Sequence, residues 1–219
     1  MKHQILKYSE EDYPFRGLIW QLFGFWNLDM LHTKWETDYG LFDKPSKDSD
    51  TIYHKIFYDT MRSGWTDFTN VYKYFINNFV QEKIGEPIIY QKWPTFRVHL
   101  PDNLAVGAWH TDSDFNHPEG EINFMLPITK MFESNTVIIE SEPGLKDFRQ
   151  IELEPGEVFM FNGNKCTHGN LPNKTGCTRV SLDFRVLKER DYKPEISKSS
   201  ITTNTKFTVG NYYEHTSDR

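Results

Sequence analysis

Two hydrophobic periodicities divide this chain near Pro87. Upstream, apolar residues recur at three- and four-residue steps: Phe68, Val71, Tyr72, Phe75, Phe79 and Val80 form one stripe that closes at Gly85. The spacing predicts an amphipathic helix of about five turns, capped at Asp67, at ~3.6 residues per turn. Weaker helical patterns cover Tyr13 to Leu31 and, with Ser49 or Asp50 as cap, Thr51 to Met61. The polar run from Asp43 to Asp50 between them reads as a loop.

Downstream of Pro87 the chain breaks into short apolar runs separated by Pro, Gly and Asn. Strands are expected at Ile88–Tyr90, Phe96–Leu100, Ala105–His110, Glu121–Thr129, Thr136–Ser141, Arg149–Leu153, Glu157–Asn162, His168–Leu171 and Arg179–Leu187. Pro143-Gly144 and Pro155-Gly156 are strong turn signals. Many short strands with few helices between them predict a sandwich or jelly roll. The expected architecture is a single domain, mainly β with N-terminal α-helices: a helical layer over residues 1–87, a β-core over 88–187 and a polar tail over 188–219. That tail is rich in Lys, Ser and Thr, which favours mobility, but Phe207, Tyr212 and Tyr213 would let it dock over the core as part of a lid.

The strand Arg179–Leu187 is the most clearly two-sided. Val180, Leu182, Phe184 and Val186 point one way, and Arg179, Ser181, Asp183 and Arg185 the other. If the polar face is solvated this is an ordinary surface strand. If it lines a barrel mouth, Arg179 and Ser181 can jointly hold a carboxylate. Arg185 lies roughly 20 Å further along at ~3.3 Å per residue, out of reach of that same carboxylate.

Composition narrows the class. The chain has 219 residues, enough for one sizeable core, and its 16% aromatic content argues against disorder. A net charge of −6 provides no broad basic surface, which argues against a nucleic-acid partner. No apolar run approaches the ~18 residues of a membrane span, and charges at Glu10, Glu11 and Asp12 interrupt any leader-like core, so a cytoplasmic location is expected. Cys166 and Cys177 are too few for a disulfide scaffold or a four-thiolate zinc site and read as reduced thiols, although a hairpin could bring them near one another.

The candidate chemistry centres on His110-Thr111-Asp112. In extended backbone, residues i and i+2 face the same side, so His110 and Asp112 can reach one ion. His168, returning from a later strand, completes a 2-His-1-carboxylate set, the donor arrangement that holds non-haem Fe(II) on one octahedral face and leaves the opposite face open. Alone, an H-x-D pair is more often a surface or hydrogen-bonding pair. Its conjunction with His168 and with Arg179-x-Ser181 at the start of the last strand is what favours a metal. Asp114 and His117 follow in a loop and read as substrate-side or surface residues. His99 reads as a satisfied strand histidine, Arg97 as a pocket-lining residue, and Trp109 as packing on the side away from the metal.

The segments Trp109-His110-Thr111-Asp112, Glu121-Ile122-Asn123-Phe124, Glu142-Pro143-Gly144, His168-Gly169-Asn170 and Thr178 through Arg185 together resemble the Fe(II)/2-oxoglutarate-dependent oxygenase superfamily. The resemblance covers about residues 90–187 and is nearest to the branch of phytanoyl-CoA-dioxygenase-like enzymes and the oxygenase of streptomycin biosynthesis. It implies a double-stranded β-helix core, with His110, Asp112 and His168 as iron ligands. It also implies Arg179, assisted by Ser181, on the distal carboxylate of 2-oxoglutarate, since a guanidinium fork suits bidentate carboxylate recognition. Asn123 is a further candidate donor to cosubstrate or substrate. The implied activity is O2-dependent hydroxylation of a C–H bond in a small polar molecule. Halogenases related to this superfamily lack the carboxylate that Asp112 supplies, so its presence favours oxygen insertion; desaturation, cyclisation and epimerisation stay open. The competing readings are a cupin-like metal enzyme that uses no keto acid, for which Arg179 would be dispensable, and a β-barrel binding module without turnover.

Overall fold

The computed structural model describes residues 1–34, 47–105, 109–194, 198–201 and 203–216. Its elements in chain order are β1 (Gln4–Lys7), α1 (Phe15–Phe23), α2 (Ile52–Arg62), α3 (Thr66–Tyr74), β2 (Ile88–Gln91), β3 (Thr95–His99), β4 (Ile122–Pro127), β5 (Val137–Ile139), β6 (Arg149–Ile151), β7 (Glu157–Phe161), β8 (His168–Gly169), β9 (Arg179–Lys188) and β10 (Tyr213–His215). All pairings between these strands are antiparallel.

The strands form a seven-stranded sheet, ordered β1-β7-β4-β9-β2-β10 with β3 also paired to β9, and a three-stranded sheet, β6-β5-β8. Alternation along the large sheet decides what each face meets. Val180, Leu182, Phe184 and Val186 of β9 join Phe124 and Leu126 of β4 and Val158 and Met160 of β7 in one apolar layer. That layer packs on Phe15 and Ile19 of α1, Phe57 of α2 and Phe68 and Tyr72 of α3. On the opposite face, Met125, Phe159 and Phe161 pack against Val137 and Ile139 of β5. The helices therefore cover one face of the large sheet and the small sheet covers the other, leaving the polar residues of β9 between the two sheets.

The long helical pattern upstream of Gly85 is present, with two corrections. Asp67 lies in the first turn, and Trp65 occupies the cap position without a side-chain bond. After Tyr74 the helix widens into a π stretch, Phe75–Val80, before a last α turn, Gln81–Ile84, that ends at left-handed Gly85 (φ 78°). The π stretch buries Phe75, Ile76 and Val80 and leaves Phe79 only partly covered. The cap of α2 is Thr51, whose side chain accepts from the His54 backbone N–H, in place of Ser49 or Asp50. In the expected 43–50 loop, residues 43–46 lie outside the described residues, and Asp48–Asp50 form a 3-10 turn. α1 stops at Gly24, also left-handed, well short of Leu31.

Three further differences concern strands. The N-terminal layer is not purely helical: β1 pairs with β7 from Gln4↔Met160 to Lys7↔Glu157, an edge addition that four residues of weak alternation did not announce. Only the two ends of the expected strand Ala105–His110 are described. Residues 106–108 lie outside the described residues, Ala105 is left-handed (φ 55°), and His110 makes a single antiparallel bridge to His168. The polar tail is docked: β10 pairs with β2, and Phe207 and Tyr213 are fully buried against Ile89 and Leu187. No helix among the described residues is long and apolar enough to cross a membrane, and both cysteines are free thiols.

Candidate metal centre

His110 and His168 meet through their backbones. Each donates its N–H to the other's carbonyl, at 3.0 and 2.9 Å, which sets the two imidazoles 4.5 Å apart between ring centroids. Strand pairing ends there, so Asp112 is not on a strand as the spacing suggested. Thr111 remains extended (φ −102°, ψ 152°), which keeps His110 and Asp112 on one side, and Asp112 then opens a 3-10 turn. Asp114 caps that turn, its carboxylate accepting from the Thr111 N–H (2.8 Å) and hydroxyl (2.9 Å). The Asp112 N–H donates to the Gly163 carbonyl at 2.9 Å, tying the turn to the end of β7.

The result is a cluster of three donor atoms. One atom each from His110, Asp112 and His168 lie within 4.8 Å of one another, and Asp112 Oδ1 is 3.7 Å from Nε2 of both histidines. His168 Nδ1 lies 3.0 Å from the Cys166 carbonyl. A carbonyl can only accept, so Nδ1 carries the proton and Nε2 presents its lone pair to the cluster. Burial holds His168 below its usual pKa and hence neutral. Burial alone would raise the pKa of Asp112, but the Arg185 charge beside it, with the histidines, holds it well below the carboxylate range. An ionised carboxylate and a neutral imidazole with its Nε2 lone pair free are the states in which these two groups bind a divalent metal.

Arg179 is on the same face of β9 and lines the same cavity as His110, His168, Asn123, Met125, Val137 and Phe161. It is 1% exposed, forms no ion pair among the described residues, and donates one bond, to the Asn135 carbonyl at 2.8 Å, while its Nε has no partner. Burial brings its pKa down from 12.5 to about 10. Ser181, fully buried two residues on, also has an unpartnered hydroxyl, although it is not among the residues lining the cavity. A buried guanidinium without a counter-charge costs stability unless something anionic joins it. Opposite Arg179, His99 donates Nε2–H to the Asn103 carbonyl at 2.7 Å, and burial together with the Arg179 charge brings its pKa down to about 3.

Two sequence-based expectations change here. Asn123, expected to donate to cosubstrate or substrate, instead donates to Asp112 Oδ2 at 2.6 Å and accepts from the Gly163 N–H at 3.1 Å. Its side chain sits so close to Gly163 that a Cβ there would lie 2.7 Å from it, so its amide is committed to the carboxylate. His117, expected in a substrate-side or surface loop, is turned inward: Nδ1 contacts buried Glu121 at 2.8 Å, and its ring packs 4.5 Å from Phe207 of the docked tail. The second Glu121 oxygen accepts from Tyr213. His117, Glu121 and Asp112 also lie close enough to hold an ion, but these bonds already engage His117 Nδ1 and both Glu121 oxygens. Trp109 packs on Phe148 and over Gly169, away from the donor cluster.

The contacts of Arg185 were not foreseen. Its Nε donates to Asp112 Oδ2 at 2.8 Å, a second nitrogen lies 3.3 Å from Oδ1, and its third reaches Asp183 at 3.0 Å. Asp183 in turn accepts from Arg97 at 2.8 Å, and Arg97 reaches buried Asp48 at 3.2 Å. The available signal was the alternation of β9, which put Arg179, Asp183 and Arg185 on one face.

No family model matches this chain. It is 32% identical over 216 residues to the streptomycin biosynthesis protein StrG of Streptomyces griseus, a match covering 97% of this chain and 98% of that protein. Among solved structures it resembles a nickel complex of the non-heme monooxygenase ThoJ, with a TM-score of 0.51 at 12% identity over 90% of this chain and 78% of that one. It also resembles EctD from S. alaskensis with bound Fe, with a TM-score of 0.55 at 11% identity over 87% and 74%. At these identities the two structures establish a common fold. With its full-length similarity to StrG, this chain belongs to the StrG family, and it shares its fold with ThoJ and EctD.

Proposed function

We propose that this protein is an Fe(II)- and 2-oxoglutarate-dependent dioxygenase that hydroxylates a C–H bond of a small polar molecule, built on a double-stranded β-helix core within a single domain. The observation that carries the reading is a buried His110–Asp112–His168 donor cluster in one cavity with an arginine that forms no ion pair among the described residues. His110 Nε2, Asp112 Oδ1 and His168 Nε2 would hold the metal. Arg179 would take the distal carboxylate of 2-oxoglutarate, which supplies the missing anion, and Ser181, sharing its strand face, would assist.

When bound, iron and 2-oxoglutarate supply O2 activation coupled to decarboxylation of the keto acid, giving succinate, CO2 and a hydroxylated product. The chain's own contribution is to orient and to exclude water. The apolar residues Met125, Val137 and Phe161 wall the cavity, and the Cys166 carbonyl fixes the tautomer of His168. We place the protein in the cytoplasm, where its two free thiols would stay reduced.

The test is succinate release by Fe(II)-loaded protein given 2-oxoglutarate and O2. Asp112→Ala and Arg179→Ala should each abolish it, and undiminished release in both variants would sink the assignment. A cupin-like enzyme that uses no keto acid would instead show Fe(II) binding with no 2-oxoglutarate uptake in the wild type.

A further inference from the structure

Asp112 is held by donors that distinguish its two oxygens. Oδ2 accepts from Arg185 Nε at 2.8 Å and from Asn123 Nδ2 at 2.6 Å, so both of its lone pairs are used. Among the described residues, Oδ1 has only the longer 3.3 Å contact to Arg185 and faces Nε2 of His110 and His168, 3.7 Å from each. The clamping groups are themselves fixed. Asn123 is pinned by the Gly163 N–H, and Arg185 by Asp183, which Arg97 holds from the far side. Little of this row is open to water: the side chains of Asp112, Arg185 and Asp183 are 2%, 11% and 10% exposed.

We propose that Arg185 and Asn123 are positioning residues that confine Asp112 to one metal-donor oxygen, Oδ1, and thereby set metal affinity and coordination number at the site. The proposal rests on the metal-centre reading above. A carboxylate free to rotate can chelate through both oxygens and occupy a further position on the metal. With Oδ2 tied down, the protein supplies three donor atoms and the remaining positions of an octahedral ion stay available for cosubstrate and oxygen. This separates the two arginines of β9: Arg179 is built for an external anion, while Arg185 is committed to an internal one. The separation follows from charge. Arg185 lies between Asp112 and Asp183, whereas Arg179 has no carboxylate in contact among the described residues.

The experiment titrates wild type, Arg185→Gln, Arg185→Lys and Asn123→Ala with Fe(II) alone under anaerobic conditions, then titrates each metal-saturated protein with 2-oxoglutarate. Visible spectra of the Co(II)-loaded proteins report coordination. Arg185→Gln should lose on the order of 10- to 100-fold in Fe(II) affinity, the range typical of outer-shell partners of metal ligands. Asn123→Ala should lose less, both should alter the Co(II) spectrum, and 2-oxoglutarate affinity at metal saturation should change little. Arg185→Lys keeps the charge but not the fork and should recover only part of the affinity. Unchanged Fe(II) affinity and Co(II) spectra in the variants would overturn the proposal, as would a defect confined to the 2-oxoglutarate titration, which would make Arg185 an anion-binding residue. If Arg185→Gln fails to fold, Asn123→Ala and Arg185→Lys decide by the same criteria. A wild-type protein that takes up no Fe(II) would instead sink the metal-centre reading itself.

Discussion

Replacing Arg179 by methionine should have opposite effects on the free protein and on its complex with 2-oxoglutarate. In the free protein the guanidinium is 1% exposed with a single hydrogen bond among the described residues, to the Asn135 carbonyl. The lowering of its pKa from 12.5 to about 10 corresponds to about 3 kcal/mol of unfavourable environment for the charged form. Methionine of similar length removes that cost but leaves the buried carbonyl without its donor, a loss of about 1–3 kcal/mol. The net change is then between neutral and about 2 kcal/mol of stabilisation, or up to roughly 8 °C in Tm for a chain of this size. In the complex, two charge-assisted bonds to a carboxylate disappear, each worth about 1.5–3 kcal/mol, so affinity for 2-oxoglutarate should fall at least 10²-fold. Thermal melts of metal-loaded wild type and Arg179→Met, with and without 2-oxoglutarate, measure both effects through the ligand-induced shift. A variant destabilised by more than about 3 kcal/mol without ligand would mean that Arg179 is an ordinary structural arginine. A variant that kept the 2-oxoglutarate-induced shift would remove it from the cosubstrate site.

Three other perturbations test the supports of the site. Gly163→Ala would put a Cβ 2.7 Å from the Asn123 side chain, so Asn123 must leave Asp112; Fe(II) affinity should fall as in Asn123→Ala, measurable by the same titration. Tyr213→Phe deletes the tail's bond to buried Glu121, which should cost about 1–3 kcal/mol and lower Tm by a few to about 10 °C in calorimetry. Glu140 accepts from the Thr167 and Lys146 backbone N–H groups beside β8, and these bonds bring its pKa from 4.5 down to about 2. A carboxylate depressed in the folded state stabilises fully above its unfolded pKa, and that contribution fades as pH falls from 4.5 toward 2. Glu140→Gln should therefore be less stable at neutral pH and show a flatter dependence of Tm on pH in that window; parallel wild-type and variant curves would remove Glu140 from the acid response.

The helix leading to Gly85 and the two-sidedness of β9 were legible because each follows from local period: an apolar stripe at helical spacing, and strict alternation over a strand. The H-x-D pair was legible for the same reason, since extended backbone at Thr111 alone brings His110 and Asp112 to one side. What these patterns leave open is the identity of each side chain's partner. β1 joins the large sheet because β7 has an open edge, which four residues of Gln-Ile-Leu-Lys do not reveal. The tail docks because Phe207 and Tyr213 find a cover in Ile89 and Leu187, residues more than a hundred positions away in the case of Ile89.

The division is sharpest on β9 itself. Alternation put Arg179, Ser181, Asp183 and Arg185 on one face, and chemistry suggested that an arginine there would meet a carboxylate. Which arginine meets which carboxylate depends on register with β3 and β4 and on where the Asp112 turn comes to rest, and these are contacts between distant segments. The fold gave Arg185 to Asp112 and, among the described residues, left Arg179 with only a carbonyl. Local sequence thus supplied the donor atoms and the faces they occupy. Long-range pairing, in which free energy comes from packing distant apolar surfaces rather than from neighbouring residues, decided their partners and left one buried charge without an ion pair among the described residues.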